Sequence, residues 1–360
     1  MSNDWRRALG LAAVLILAQT AVILFDLHFA PGNLFADGYP VYNTYFTIRM
    51  VAAVLLATGV AIGVFFWNPG LLAARHDPPA PNVSFAIAAV CVAATVAATL
   101  VLLGDPAVFF NLAREDSLFE WTSALLLFAG SIMMLVAALR LVGQGSRRAG
   151  VVALLLSLLL FLTAMEEISW LQRQIGFATP EALKQRNEQG EANVHNLATG
   201  LSENLYYGGA FLLLVFGPAL AFLFAPKGPL ASLAWLLPSR YALLAGALST
   251  GFCFEMWNVF WMQFAFFYSV LLLGGIAGES VRIGRWRDGL LFGCAGVALV
   301  ACHLTVLSAG YTMVRPWDDS EFKELLIAAG LFLHAAEVFR RVGKMSKGVQ
   351  PFGGLSRAKT

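Results

Sequence analysis

Hydrophobic residues in this chain come in long runs rather than in the alternating or amphipathic stripes of a soluble fold. A helix needs about 20 apolar residues to cross the hydrocarbon core of a bilayer. Eight stretches meet that requirement, roughly 8–29, 47–67, 83–104, 117–142, 149–168, 204–225, 287–309 and 323–342. A further stretch, 240–279, is too long for one ordinary span and barely enough for two. It carries Glu255, Trp257 and Asn258 near its middle, where a tight turn would fall.

Basic residues in short loops stay on the cytoplasmic side, and this decides between one crossing and two. Arg6 and Arg7 place the N-terminus inside. The loops with Arg147/Arg148 and Lys227/Arg240 then fall inside as well. One crossing by 240–279 would put Arg282, Arg285, Arg287 and the basic tail outside; two crossings put them all inside. The sequence therefore predicts an all-α polytopic transmembrane helix bundle of about ten spans, with a small extracytoplasmic helical loop at about 173–203 and both termini cytoplasmic. Residues 1–345 form this domain, and 346–360 read as a disordered cytoplasmic tail. The first apolar stretch is longer than a signal-peptide core and lacks a convincing cleavage site, so it reads as a retained span.

Composition agrees with this. The chain is 59% hydrophobic and 13% charged, against about 45–50% and 25% for a soluble domain. An ordinary soluble enzyme is excluded. With 24 Lys+Arg against 22 Asp+Glu, nothing suggests a nucleic-acid partner; the expected partners are membrane lipids. The small net charge hides a strong asymmetry. On the ten-span topology 17 of the 24 basic residues lie inside, and 17 of the 22 acidic ones lie outside. Insertion explains the basic face but not the acidic one, because Asp and Glu contribute little to orientation.

Ionisable groups within spans are costly and point to function. Here they gather at the outer ends. Asp26 and His28 close the first span. Asp116, Glu120 and Ser123 are spaced i, i+4, i+7 at the start of another, next to Glu115. Glu166, Glu167, Ser169, Trp170, Gln172 and Arg173 follow 15 residues without a charge. Asp318, Asp319, Glu321 and Glu324 lead into the last span, and His303 sits in the outer half of the one before it. Adjacent helical residues point about 100° apart, so Glu166 and Glu167 cannot both face one cavity. A working carboxylate pair needs a partner from another helix, such as Glu120. The plain alternative is an interfacial belt, with Trp170 as headgroup anchor and the charges solvated.

The outer loop adds Asn187, Gln189, Glu191, Asn193, His195 and Asn196. His195 is suited to acid, base or ligand roles. The run Glu166–Gln172, then Thr179–Glu181, then Asn187–Asn196 resembles a pattern in bacterial multi-pass inner-membrane proteins of uncharacterised function. That pattern carries Gly where this chain has Leu171. The resemblance implies that these residues share one site and a bacterial inner-membrane location; it implies no reaction.

Other motifs read as structural or are missing. Gly59/Gly63, Gly274/Gly278 and Gly289/Gly293 read as helix packing. Cys91, Cys253, Cys294 and Cys302 read as buried thiols, and Glu337 as an i,i+4 ion-pair partner of Arg341. G-x-S-x-G, H-E-x-x-H and Walker A motifs are absent, as is a visible internal repeat.

The favoured expectation is a membrane-embedded hydrolase or transferase acting on a lipid or lipid-linked substrate at the periplasmic face. Glu166, Glu167, Glu120 and His195 would be catalytic. Ser169, Trp170, Gln172, Arg173, Asn187, Gln189, Glu191, Asn193, Asn196 and Glu255 would bind substrate. A divalent metal held by Glu120, Glu166 and His195 is compatible with these residue types. The alternatives are an ion-coupled transporter and an envelope assembly scaffold.

Overall fold

The computed structural model describes residues 17–18, 20–22, 24–29, 38–67, 78–114, 117–176, 178–179, 181, 199–219 and 236–345. Within them the chain is helical, with no strand. Ten helices order the fold: α1 (Thr44–Trp67), α2 (Pro81–Gly104), α3 (Pro106–Ala113), α4 (Leu118–Gly143), α5 (Arg147–Glu167), α6 (Thr199–Phe211), α7 (Arg240–Ser249), α8 (Phe260–Arg282), α9 (Trp286–Ala309) and α10 (Ser320–Met345). A shorter helical stretch, Thr20–Phe29, precedes α1. Proline opens α2 and α3, where a missing N–H costs nothing. Asp105 caps α3 by accepting from the Ala107 and Val108 amides at 3.0 and 3.2 Å. Ser117 caps α4, accepting from the Phe119 amide at 3.2 Å.

Among the described residues six helices are long and apolar enough to cross a membrane: α2, α5 and α8 whole, α1 over Thr44–Phe65, and α4 and α9 with their extensions. Their outward faces carry large apolar side chains such as Leu100, Leu155, Val297 and Leu304, each more than 60% exposed. A soluble protein would not show water so much contiguous apolar surface. The chain is a multi-pass membrane protein. The expected ten spans are not reached by these helices alone. α10 is long but carries several charges, α6 is 13 residues, and α7 is only ten.

α7 is where 240–279 departs from a simple pair of spans. Ten residues rise about 15 Å, half of the roughly 30 Å core. All ten are buried. After Ser249 the backbone continues irregularly to Val259, also almost wholly buried, before α8 begins. Non-helical backbone at membrane depth is tolerated only where protein covers it, and here α10, α2, α8 and α9 pack around α7. Gly246 of α7 and Gly330 of α10 flank Leu214. A Cβ on either would lie within 3 Å of that side chain, so only glycine allows this approach.

The glycine pairs behave differently from expectation. A Cβ at Gly59, Gly274, Gly278 or Gly293 would meet nothing within 4 Å, so these face outward, whereas Gly289 packs tightly against Val281. Cys294 is likewise exposed, while Cys91, Cys253 and Cys302 are buried as expected.

α4, α5 and α10 form one tight group. Ser131 and Ser157 lock α4 to α5 by donating to each other's carbonyls at 2.9 and 2.8 Å. Gly130 faces α10 at Phe332 and Ala335. These pins fix depth. Glu120 lies eleven residues before Ser131, Glu167 ten after Ser157, and Glu321 eleven before Phe332. At 1.5 Å per residue all three carboxylates arrive at one level.

Candidate functional site

The level so defined holds a carboxylate cluster. Glu167, at the end of α5, is hydrogen-bonded to Glu324 of α10 and interacts electrostatically with Glu321 and Glu120. Two carboxyl groups can bond to each other only with a proton between them. The Tyr207 hydroxyl of α6 donates to Glu324 Oε1 at 2.6 Å. Lys323 lies over the Tyr207 ring, its Nζ 4.3 Å from the centroid. The neighbouring Tyr206 faces Glu167, Glu324 and Glu321. Its hydroxyl is buried without a hydrogen-bond partner among the described residues.

Glu166 turns away, as the 100° offset requires, and accepts from Trp170 Nε1 at 2.7 Å. The bond is made possible by an unusual backbone. Ser169, Trp170 and Leu171 have φ of 45°, 56° and 61°, three successive non-glycine residues in the left-handed region. Such conformations cost energy and cluster where structure serves function. Glycine would adopt the φ of Leu171 freely. Gln172 reaches outward instead, donating to Thr179 Oγ1 at 2.6 Å. Ser169 is buried.

Glu255, expected beside the substrate, belongs to a second network at the same end. Its carbonyl accepts from Gly38 N at 3.0 Å, while Asn258 bonds Val41 N and the Tyr39 carbonyl. Asp319 accepts from Phe254 N at 2.8 Å, and Asp318 pairs with Arg315 at 2.8 Å. This network ties the irregular segment 250–259 to the loops before α1 and α10. Burial pushes the Asp319 carboxyl up to about 6, with Lys323 and the Phe254 amide acting in the opposite direction. His303 lies within the fold near Cys253 and Gly251. Asp26 pairs with Arg49 at 3.0 Å, which gives that carboxylate a structural role.

Of the expected catalytic set, Glu120 and Glu167 come together; Glu166 stands beside them, held by Trp170. His195, Asn187, Gln189, Glu191, Asn193, Asn196, the helix start at Pro180 and the Arg173 side chain lie outside the described residues, as do Glu115 and Asp116. Among the described residues no group of three or more His, Cys, Asp or Glu side chains is arranged to hold a metal ion. Sequence reasoning placed Glu321 and Glu324 at this level without assigning them to the site, and left out Tyr206 and Tyr207. The signal was there: two carboxylates at i,i+3 share a helix face. It was masked because acidic residues in a first helical turn are ordinarily explained by the helix dipole.

No family model, curated protein or solved structure matches this chain.

Proposed function

We propose that this protein is a membrane-embedded enzyme of hydrolase or transferase type, acting on a lipid or lipid-linked substrate at the acidic, periplasmic face of a bacterial inner membrane. The chain would cross ten times, with α7 and 250–259 together forming one discontinuous crossing. The observation that carries the reading is the hydrogen-bonded pair Glu167–Glu324, set among like charges from three helices. A proton held between two carboxyls can be given by one and taken by the other, which is the requirement for general acid and base work. Tyr207 orients Glu324. The Tyr206 hydroxyl is a donor available to substrate. Glu120 and Glu321 keep the local field negative and so favour retention of the shared proton. His195 and the loop polar residues would close over the site from the outer face.

The discontinuous α7 supports a second reading, an ion-coupled carrier, since carriers use broken helices and protonatable carboxylates. The two readings separate experimentally. Envelope lipids and glycans of a deletion strain should differ from those of the parent, and Glu167→Gln should reproduce the deletion at normal membrane abundance. An unchanged lipid and glycan profile, together with proton-gradient-driven uptake in proteoliposomes, would replace the enzyme with the carrier.

A further inference from the structure

Beside the carboxylate cluster, on the membrane side of α6, lies a cavity of about 650 Å³. Its volume falls within the range of small-molecule sites. Its lining is almost entirely apolar, with Leu205, Leu212, Phe216 and Phe264 prominent. Besides Thr20, its polar side-chain atoms form a hydrogen-bonded pair at one end. There Trp261 Nε1 donates to Asn204 Oδ1 at 2.7 Å, and Asn204 in turn donates to the Gly200 carbonyl. Asn204 lies next to Glu203 and three residues before Tyr207, the residue bonded to Glu324.

The orientation and length of the cavity are informative. Its α6 wall runs from Asn204 to Phe216, a rise of about 18 Å. One leaflet of the hydrocarbon core is about 15 Å thick. The polar mouth is thus at the depth of the carboxylates, and the apolar floor reaches toward the midplane. Two local features hollow it out. Gly208 and Gly209 leave the wall without side chains; a Cβ at Gly209 would meet nothing within 4 Å. The helix then widens into a π turn, Leu212–Phe216, whose first and last residues both line the cavity. Such turns inside α-helices are frequent at functional sites. Leu205 and Leu212 are 67% and 57% exposed, so the cavity opens sideways, toward lipid.

We infer that this cavity seats one hydrocarbon chain of a membrane lipid from the acidic-side leaflet, with its polar head delivered to Tyr207, Glu324 and Glu167. The inference rests on the proposed enzymatic reading for the use of the head, but not for the seating of the chain. A membrane-facing apolar hollow is filled by the surrounding solvent, which is acyl chain. Its one-leaflet length and the hydrogen-bonded Asn204–Trp261 pair at one end specify which way the chain lies.

The test uses the full-length protein in nanodiscs of phosphatidylcholine containing a fraction that bears a diazirine on one acyl chain. After illumination, labelled peptides are quantified. Peptides with Leu205, Leu212 or Phe216 should be labelled at least fivefold above those with Leu155 and Leu158, which lie on the open face of α5. Gly209→Phe should reduce the excess to the α5 level while Glu324→Gln retains it. Gly208→Leu serves the same purpose if Gly209→Phe fails to insert. Uniform labelling in the wild type, or an excess unaffected by both filling variants, would overturn the inference. If labelling follows the expected pattern but Glu167→Gln and Glu324→Gln are fully functional, the chain site stands and the enzymatic reading falls. Uniform labelling with inactive carboxylate variants gives the converse.

Discussion

Two groups of carboxylates, one at each end of the bundle, use the same side chains in opposite ways. At the basic end the buried carboxylates Glu337 and Asp288 each have a cation. Glu337 faces Arg341 at 3.3 Å and accepts from Ser84 and Ser239, both at 2.8 Å. Asp288 takes Arg240 at 2.9 Å and the Tyr241 hydroxyl at 2.7 Å. At the acidic end Glu167 and Glu324 are bonded to each other, with Glu120 and Glu321 adding like charge. Compensated pairs tie helices together, and removing one partner exposes the other's desolvation cost. A like-charge group gives no such return to stability. The proposed function gives such a group, at one depth across three helices, a reason that folding does not.

The contrast makes the ends separable by mutation. The largest expected effect is at the acidic end. Glu167→Gln or Glu324→Gln should lower function by about 10²–10⁴-fold, the usual weight of a general acid or base, with the melting temperature in detergent unchanged or raised. Glu337→Ala should do the reverse. It leaves Arg341 uncompensated, costing about 3–5 kcal/mol of stability, read as a lowered melting temperature and reduced membrane abundance.

A smaller effect comes from Asp319, which lies between the two cases: buried, near Lys323, and bonded to one amide. Burial raises its carboxyl from 3.8 to about 6, so the protonated form is favoured in the fold. That contribution is complete below about pH 4 and is lost as pH rises through 6. The stability of the wild type relative to Asp319→Asn should therefore fall between these values and level off above them, in melting curves taken across that range. The smallest effect is at the strained turn. Leu171→Gly should raise stability by up to about 1 kcal/mol, and Leu171→Val should lower it, since a β-branched residue fits positive φ worst.

Much of this architecture is legible in the apolar runs. Six of the expected spans, 47–67, 83–104, 117–142, 149–168, the second half of 240–279 and 287–309, correspond to helices long enough to cross. Membrane helices declare themselves by composition because the bilayer penalises any unsatisfied polar group. The half-length α7 was not legible. Its residues are as apolar as a span's, and only the surrounding helices allow the backbone to stop being helical after Ser249. The site was legible by depth but not by direction. Sequence placed Glu120, Glu167, Glu321 and Glu324 at one level and showed that Glu166 and Glu167 must diverge. Which of the two met the other helices depended on the rotation of α5, set by contacts such as Ser131–Ser157 that no local pattern encodes. Tyr207 was hidden for the same reason, since a tyrosine near a span end reads as an interfacial anchor.

The central claim is that the acidic cluster exists for chemistry. It is tested most directly by the envelope lipid and glycan profile of a strain whose only copy carries Glu324→Gln at wild-type membrane abundance. The account predicts a profile matching the deletion strain. A profile matching the parent would contradict it.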